Sequence, residues 1–217
     1  MNAIAFHTQA FQTGAVRPVL FERTPPAADA GVKMHYGRDE EIFGEGEASR
    51  YVYRVVTGAV RTYRVLSDGR RQIVEFHTAG DVFGLDGETC HALGAEAVRE
   101  AVLQVMPRDA FLHAQGSEVA IHALLKKFQR AQAHMLLLGR HTACERVAAF
   151  LLDFRERTGC DAIELPMSRQ DIADYLGLTI ETVSRTFTQL QQAHQIDLVS
   201  CRRVVLRNPA ALERICE

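Results

Sequence analysis

The hydrophobic pattern of this chain switches from strand to helix period after Pro107, and that change constrains every other reading. Ahead of it, from Tyr36 to about Gly87, β-branched and aromatic residues come in short runs punctuated by glycine. Residues 51–56 stop at Thr57-Gly58, 59–66 stop at Ser67-Asp68-Gly69, and 72–76 stop near Gly80. Asp-Gly between two such runs is a strong hairpin signal, because both turn positions favour positive φ. A further run over 100–106 ends at Pro107. Short strands at regular spacing predict a small all-β roll or sandwich over residues 31–114. Residues 1–30 show no clean periodicity, end in Pro25-Pro26, and read as a loosely ordered arm.

Beyond Pro107, Ile121, Leu124, Phe128, Ala131, Met135 and Leu138 recur in steps of three and four, the signature of a helical seam. Lys126, Lys127, Gln129, Arg130 and Gln132 occupy the other faces. So narrow a stripe buries poorly against a sheet and well against a copy of itself. It is expected to form a homodimer interface within a segment spanning 115–140. Gly139-Arg140-His141 interrupts the register as a hinge. The next helix, 142–157, carries Val147, Phe150, Leu151 and Phe154 and is closed by Thr158-Gly159.

The most informative stretch is 168–190. Ser168 caps a short helix and Asp171 suits its positive end. Ile172, Ala173 and Leu176 give that helix an apolar face, Gly177 breaks it, and Thr179 caps a second helix running to about Gln192. The second helix has two chemistries. Val183, Phe187 and Leu190 lie on one side, while Glu181, Ser184, Arg185 and Thr188 lie on the other. Arg bonds guanine O6 and N7 in bidentate fashion, Glu accepts from cytosine N4, and Ser serves either strand. The plainer reading of Glu181 and Arg185 is a surface ion pair worth a few tenths of a kcal/mol. The glycine turn before them and the pattern after them favour DNA reading. A β-hairpin follows, 196–199 and 202–206, made basic by Arg202, Arg203 and Arg207 and placed like a phosphate-binding wing. Asn208-Pro209 opens a last short helix.

Composition narrows the classes. Hydrophobic residues are 47% and charged residues 24% of 217, which suits a folded protein with a core. No run approaches the roughly 18 apolar residues of a membrane span, and no secretory signal is read. A net charge of −2 advertises no nucleic acid by itself, so a DNA role rests on local arrangement. The five cysteines have neither the number nor the spacing of a disulfide framework or zinc knuckle, which points to a reduced cytoplasm.

The run from Asp171 to Arg185, DIADYLGLTIETVSR, resembles the recognition motif of the cyclic-AMP receptor/FNR superfamily of bacterial transcription regulators. Its Glu181, Ser184 and Arg185 match the FNR and FixK branches, which read TTGA-type half-sites. Gly58, Asp68-Gly69 and the run Gly80-Asp81-Val82-Phe83-Gly84 resemble the glycine skeleton of the family's N-terminal β-roll, and the helix from about Ser117 to Leu138 resembles its dimer helix. The resemblance implies an α+β chain: a β-roll sensor domain over 31–114, a dimerisation helix and hinge over 115–140, and a winged helix-turn-helix over 141–217. It implies a cytoplasmic homodimer, an activator, that binds a TTGA palindrome and contacts RNA polymerase. Ile180, Glu181, Ser184 and Arg185 would read bases. Gln170, Thr179, Thr182, Arg202 and Arg203 would hold phosphates.

The sensor half is characterised by what it lacks. The family binds cyclic AMP through an Arg-Ser pair after the Phe-Gly turn. Here Gly94-Ala95-Glu96-Ala97-Val98 stands in that neighbourhood, and Glu96 is expected to repel a phosphate. No cysteine precedes Cys90, so the iron–sulfur cluster of oxygen-sensing members has no ligands. No cofactor, metal or catalytic residue is therefore expected, and the pattern is that of the FixK branch. Microoxic respiration or nitrogen fixation is what this branch suggests. Haem on His7, His35, His77, His91 or His113 is a weaker alternative, since none has a recognisable partner. An enzyme built on a cupin-like metal would need closely spaced histidines, and no His-x-His occurs. A ligand-binding or scaffolding dimer that does not bind DNA is the third reading. Cys201, beside Arg202 and Arg203, is the candidate redox thiol, because neighbouring arginines raise thiolate content.

Overall fold

The computed structural model describes residues 31–114 and 116–216; the expected N-terminal arm lies outside them. Six strands form the roll: β1 (Val32–Tyr36), β2 (Glu41–Phe43), β3 (Tyr51–Val65), β4 (Arg71–Thr78), β5 (Val82–Phe83) and β6 (Gly94–Pro107). Their antiparallel order is β1-β6-β3-β4, with β2 on β6 and β5 on β3. The chain continues as α1 (Arg108–Ala114), α2 (Gly116–Leu138), α3 (Ala143–Thr158), β7 (Ala162–Glu164), α4 (Arg169–Leu176), α5 (Ile180–Gln192), β8 (Ile196–Leu198), β9 (Arg203–Leu206) and α6 (Pro209–Ile215).

The roll differs from its expected layout at Gly58. The runs on either side of it are one 15-residue strand, β3, whose pairing with β6 shifts register between Val55 and Val60. Gly58 takes φ +88°, and a Cβ there would lie 2.4 Å from the carbonyl oxygen of Glu100. Glycine here lets two backbones close on each other at a bulge and does not end the strand. The Asp68-Gly69 turn joins β3 to β4 as expected.

The strands of the roll divide between two cores. Tyr53, Val55, Val60, Phe83, Ala95, Ala97 and Leu103 fill the roll interior. Ala59, Ile73, Phe76 and Val98 instead join a larger cluster with Val147, Phe150, Leu151, Phe154, Ile172, Leu176, Val183 and Phe187. One face of the roll is thus packed directly against the C-terminal helices. Gly159 closes α3, as the sequence led one to expect, while Thr142, expected as the first residue of the helix, is its cap. Two elements carry no strong local signal: α1, and the three-residue β7, which pairs with β9 and widens the wing to three strands. Among the described residues no helix is long and apolar enough to cross a membrane.

Candidate nucleic-acid interface

The interface is built from capping chemistry outward. Ser168 Oγ accepts from the Asp171 N–H at 3.1 Å, and the Ser168 N–H donates to Asp171 Oδ2 at 3.0 Å, a reciprocal capping box that starts α4. Gly177 ends it at φ 63°, ψ 40°, a left-handed conformation that costs a β-carbon-bearing residue energy. Thr179 then caps α5 by accepting from the Thr182 N–H at 3.3 Å. With both caps and the turn set, α5 has only one way to bury its apolar side. Val183, Thr186, Phe187 and Leu190 go into the core. Glu181, Ser184, Arg185 and Thr188 are left exposed along one face, with Ile180 37% exposed at its start.

Charge on that face is fixed by local hydrogen bonds. Hydrogen bonds from its own backbone N–H and from Thr179 hold the Glu181 carboxyl below its ordinary range, and Arg185 adds a smaller pull. Glu181 is therefore an acceptor at neutral pH. Around the strip, Gln170 and Thr179 are exposed and Thr182 is half-buried. In the wing turn, Ser200 Oγ accepts from the N–H groups of Arg202 (3.3 Å) and Arg203 (3.0 Å), which presents Arg203 to solvent with Arg202 half-buried. Arg207 does not add to this basic patch, because its Nε bonds Asp197 at 2.6 Å. Cys201 is exposed in the same turn.

Sequence reasoning missed Arg169. Its guanidinium lies 3.3 Å from the ring centroid of Phe187, burial pushes its pKa down to about 10, and its buried Nη1 has no hydrogen-bond partner. The ring face takes the place of a polar partner and ties the start of α4 to the middle of α5. Its place directly ahead of Gln170 is the one sequence hint.

The apolar stripe of α2 is largely open to solvent. Ile121, Leu124, Phe128 and Met135 are 48–67% exposed, and Ala131 is exposed beside them. Leu125 and Leu136 extend the apolar surface at 55% and 75%. Leu138 departs from the stripe: it is half-buried against the C-terminal core, because the last turn of α2 is already docked there.

The expectation for Glu96 fails in its reason. Its side chain does not face the roll interior; it accepts from Tyr63 Oη at 2.6 Å and Arg61 Nε at 3.0 Å on the outer face. Alternation along β6 decides this, since Ala95 and Ala97 take the inward positions. The interior is occupied by rings: Tyr53 on Phe83 at 5.2 Å, His77 on Phe83 at 4.8 Å and His91 on Phe43 at 3.6 Å. His77 and His91 thereby have structural partners, Thr62 at 3.2 Å and Asp86 at 2.7 Å. His35 is exposed, and His7 and the His113 side chain lie outside the described residues. Among the described residues no cluster of three or more His, Cys, Asp or Glu side chains is placed to hold a metal ion.

Residues 145–215 match the Crp-like helix-turn-helix domain, and residues 33–116 match the cyclic nucleotide-binding domain. The chain is 44% identical over 198 residues to the nitrogen fixation regulation protein FixK of Rhizobium meliloti, covering 90% of this chain and 93% of that one. The chain belongs to the CRP/FNR family. Within that family it is 39% identical over 176 residues to the transcriptional activatory protein AadR of Rhodopseudomonas palustris (76% and 74% of the two chains). The solved structure of FixK2 from Bradyrhizobium japonicum superposes with a TM-score of 0.82 at 45% identity, over 87% of this chain and 98% of that one. This CRP/FNR protein is a DNA-binding transcription regulator of the FixK/FNR type, not an enzyme.

Proposed function

We propose that this regulator acts in the cytoplasm as a homodimeric activator that reads a TTGA-type palindrome and recruits RNA polymerase. The observation that carries the reading is the exposed strip of α5, where Glu181, Ser184 and Arg185 project at one-turn spacing from a helix rigidly capped at its start. Arg185 would take guanine, Glu181 the cytosine opposite, and Ser184 and Ile180 the flanking edges. Gln170, Thr179, Thr182, Arg202 and Arg203 would hold phosphates, which positions the helix without reading sequence. Dimerisation through Ile121, Leu124, Phe128, Ala131 and Met135, with Leu138 at the docked end, would set two such helices about one DNA turn apart. The FixK relatives are nitrogen fixation regulation proteins, which points to nitrogen fixation genes as targets.

Selection of bound DNA from a random pool tests this directly. TTGA and TCAA half-sites separated by about 6 base pairs are expected, from the centre-to-centre spacing of one helical turn. Recovery of unrelated or non-palindromic sites overturns it. Cys201 is proposed as a redox brake: an oxidised sulfur in the wing turn would sit where phosphates approach. Peroxide is expected to weaken DNA binding by the wild type and to spare Cys201→Ser; equal loss in both removes the cysteine from the account.

A further inference from the structure

The roll and the DNA-binding unit meet across an ionic seam at α4, the first helix of the helix-turn-helix. Arg61, on β3, has a side chain only 6% exposed; it donates to Asp171 Oδ1 at 3.1 Å, Glu96 Oε2 at 3.0 Å and Asp39 Oδ1 at 3.1 Å. Arg71, on β4, donates to the same Asp171 oxygen at 2.8 Å and to Asp174 Oδ2 at 3.0 Å. Gln72 adds a bond to the Asp174 carbonyl at 2.8 Å. Burial works against the charge of Arg61, yet the bond to Glu96 and the field of Asp171 outweigh it and raise its pKa. Ion pairs this buried are an inefficient way to gain stability, since desolvation offsets most of the attraction. They do fix geometry, because each guanidinium satisfies its partners in one orientation only.

That geometry leads to the DNA face. Asp171 closes the capping box of α4 with its other oxygen, Oδ2. The second oxygen of Asp174 accepts from Gln170 at 2.7 Å, so Arg71, Asp174 and Gln170 form an unbroken chain from the roll to a side chain assigned to phosphate. The far end of α4 is held from α2, where the ring of His134 stacks on Tyr175 at 4.1 Å and bonds its carbonyl at 2.9 Å. Clamped at both ends, α4 carries α5 with it through their common core.

We propose that Arg61 and Arg71 are positioning residues for DNA reading: they hold the recognition helix at one angle to the dimer helix and so set the half-site spacing a dimer accepts. The proposal rests on the palindrome reading above. One base pair added to or taken from the spacer moves a half-site by about 3.4 Å and turns it by about 35°. A latched unit cannot follow that displacement, whereas a loosened one can.

The experiment measures binding of full-length wild type, Arg71→Met, Arg71→Lys and Gln72→Ala to TTGA palindromes with spacers of optimal length and one base pair shorter or longer. A scrambled duplex and thermal melts accompany each variant. Wild type is expected to prefer one spacing, and Arg71→Met to lose about tenfold of that preference while Arg71→Lys, which keeps the charge, retains most of it. A change that merely lowered the folded fraction would reduce binding to all spacings alike and leave the profile intact. If Arg71→Met does not fold, Gln72→Ala decides by the same profile. An unchanged profile in the folded variants overturns the proposal, as does tighter binding at every spacing, which would make the seam a restraint. Failure of the wild type to prefer the palindrome over scrambled DNA overturns the DNA reading itself.

Discussion

At the scale of single residues, charge and burial separate two kinds of contribution. Arg185 is exposed and is proposed to meet a base edge, so Arg185→Ala is expected to cost about 1–3 kcal/mol on matched DNA and to relax the preference for guanine. Arg202→Ala should weaken matched and scrambled duplexes alike, and fluorescence anisotropy on both separates the two outcomes. Asp81 is the opposite case, 5% exposed and accepting from the Thr78 N–H (2.9 Å), Arg130 (2.8 Å), Lys126 (3.1 Å) and Arg157 (3.3 Å). Burial alone would raise its pKa, but the bonds from Arg130 and Thr78 prevail and hold it far below the usual carboxylate range. A depressed folded pKa means stability present above the unfolded value, near 4, and lost as pH falls below it. Asp81→Asn is expected to cost about 1.5–3 kcal/mol at pH 7 and to flatten the acid limb of the stability curve, which urea melts at pH 7 and pH 3.5 would show.

Among the elements, α2 presents two different faces. His134 and Leu137 are buried against the C-terminal unit, and Lys126 and Arg130 reach Asp81 of the roll. The face bearing Leu124, Phe128 and Met135 is left apolar and solvated, an arrangement that favours self-association. Phe128→Glu is expected to yield a monomer by sedimentation and to reduce palindrome affinity to that of a single half-site. A dimer that persists would place the interface elsewhere. The local course of the α4–α5 turn, by contrast, is set within the segment by two caps and one glycine.

For the molecule as a whole, the buried histidines tie the integrity of the two halves to pH. Burial lowers the pKa of His77 inside the roll, against the opposing fields of Glu75 and Asp81, and burial likewise lowers that of His134 between α2 and α4. A base with a depressed folded pKa is protonated more readily in the unfolded chain, so stability is full above the unfolded value near 6.5 and falls below it. The melting temperature is expected to drop between pH 7.5 and pH 5.5. His134→Gln should shrink that drop, and a slope unchanged by the substitution would exclude His134 as a contributor. Because Ala59, Ile73, Phe76 and Val98 share a core with α3, α4 and α5, loss of packing at this seam reaches the DNA-reading end directly.

What could be read without coordinates is what is encoded within three or four residues. The Ser168 and Thr179 caps, the Gly177 turn, the two-faced α5 and the Asn208-Pro209 start all came from such spacing, and each is present in the fold; the α2 stripe came from it too, and only Leu138 leaves it. The rest is decided by contacts between distant segments. Gly58 looks like a strand end until β6 is seen running against it, and β7 is too short to show any period. Glu96 is assigned to the wrong face unless the strand's inward positions are known to be Ala95 and Ala97. Arg61 meets Asp171 across 110 positions of chain, a pairing that no local pattern announces. Hydrogen-bonded caps and amphipathic periods are properties of a segment, legible wherever it lies. The angle at which one half grips the other is a property of the closed fold.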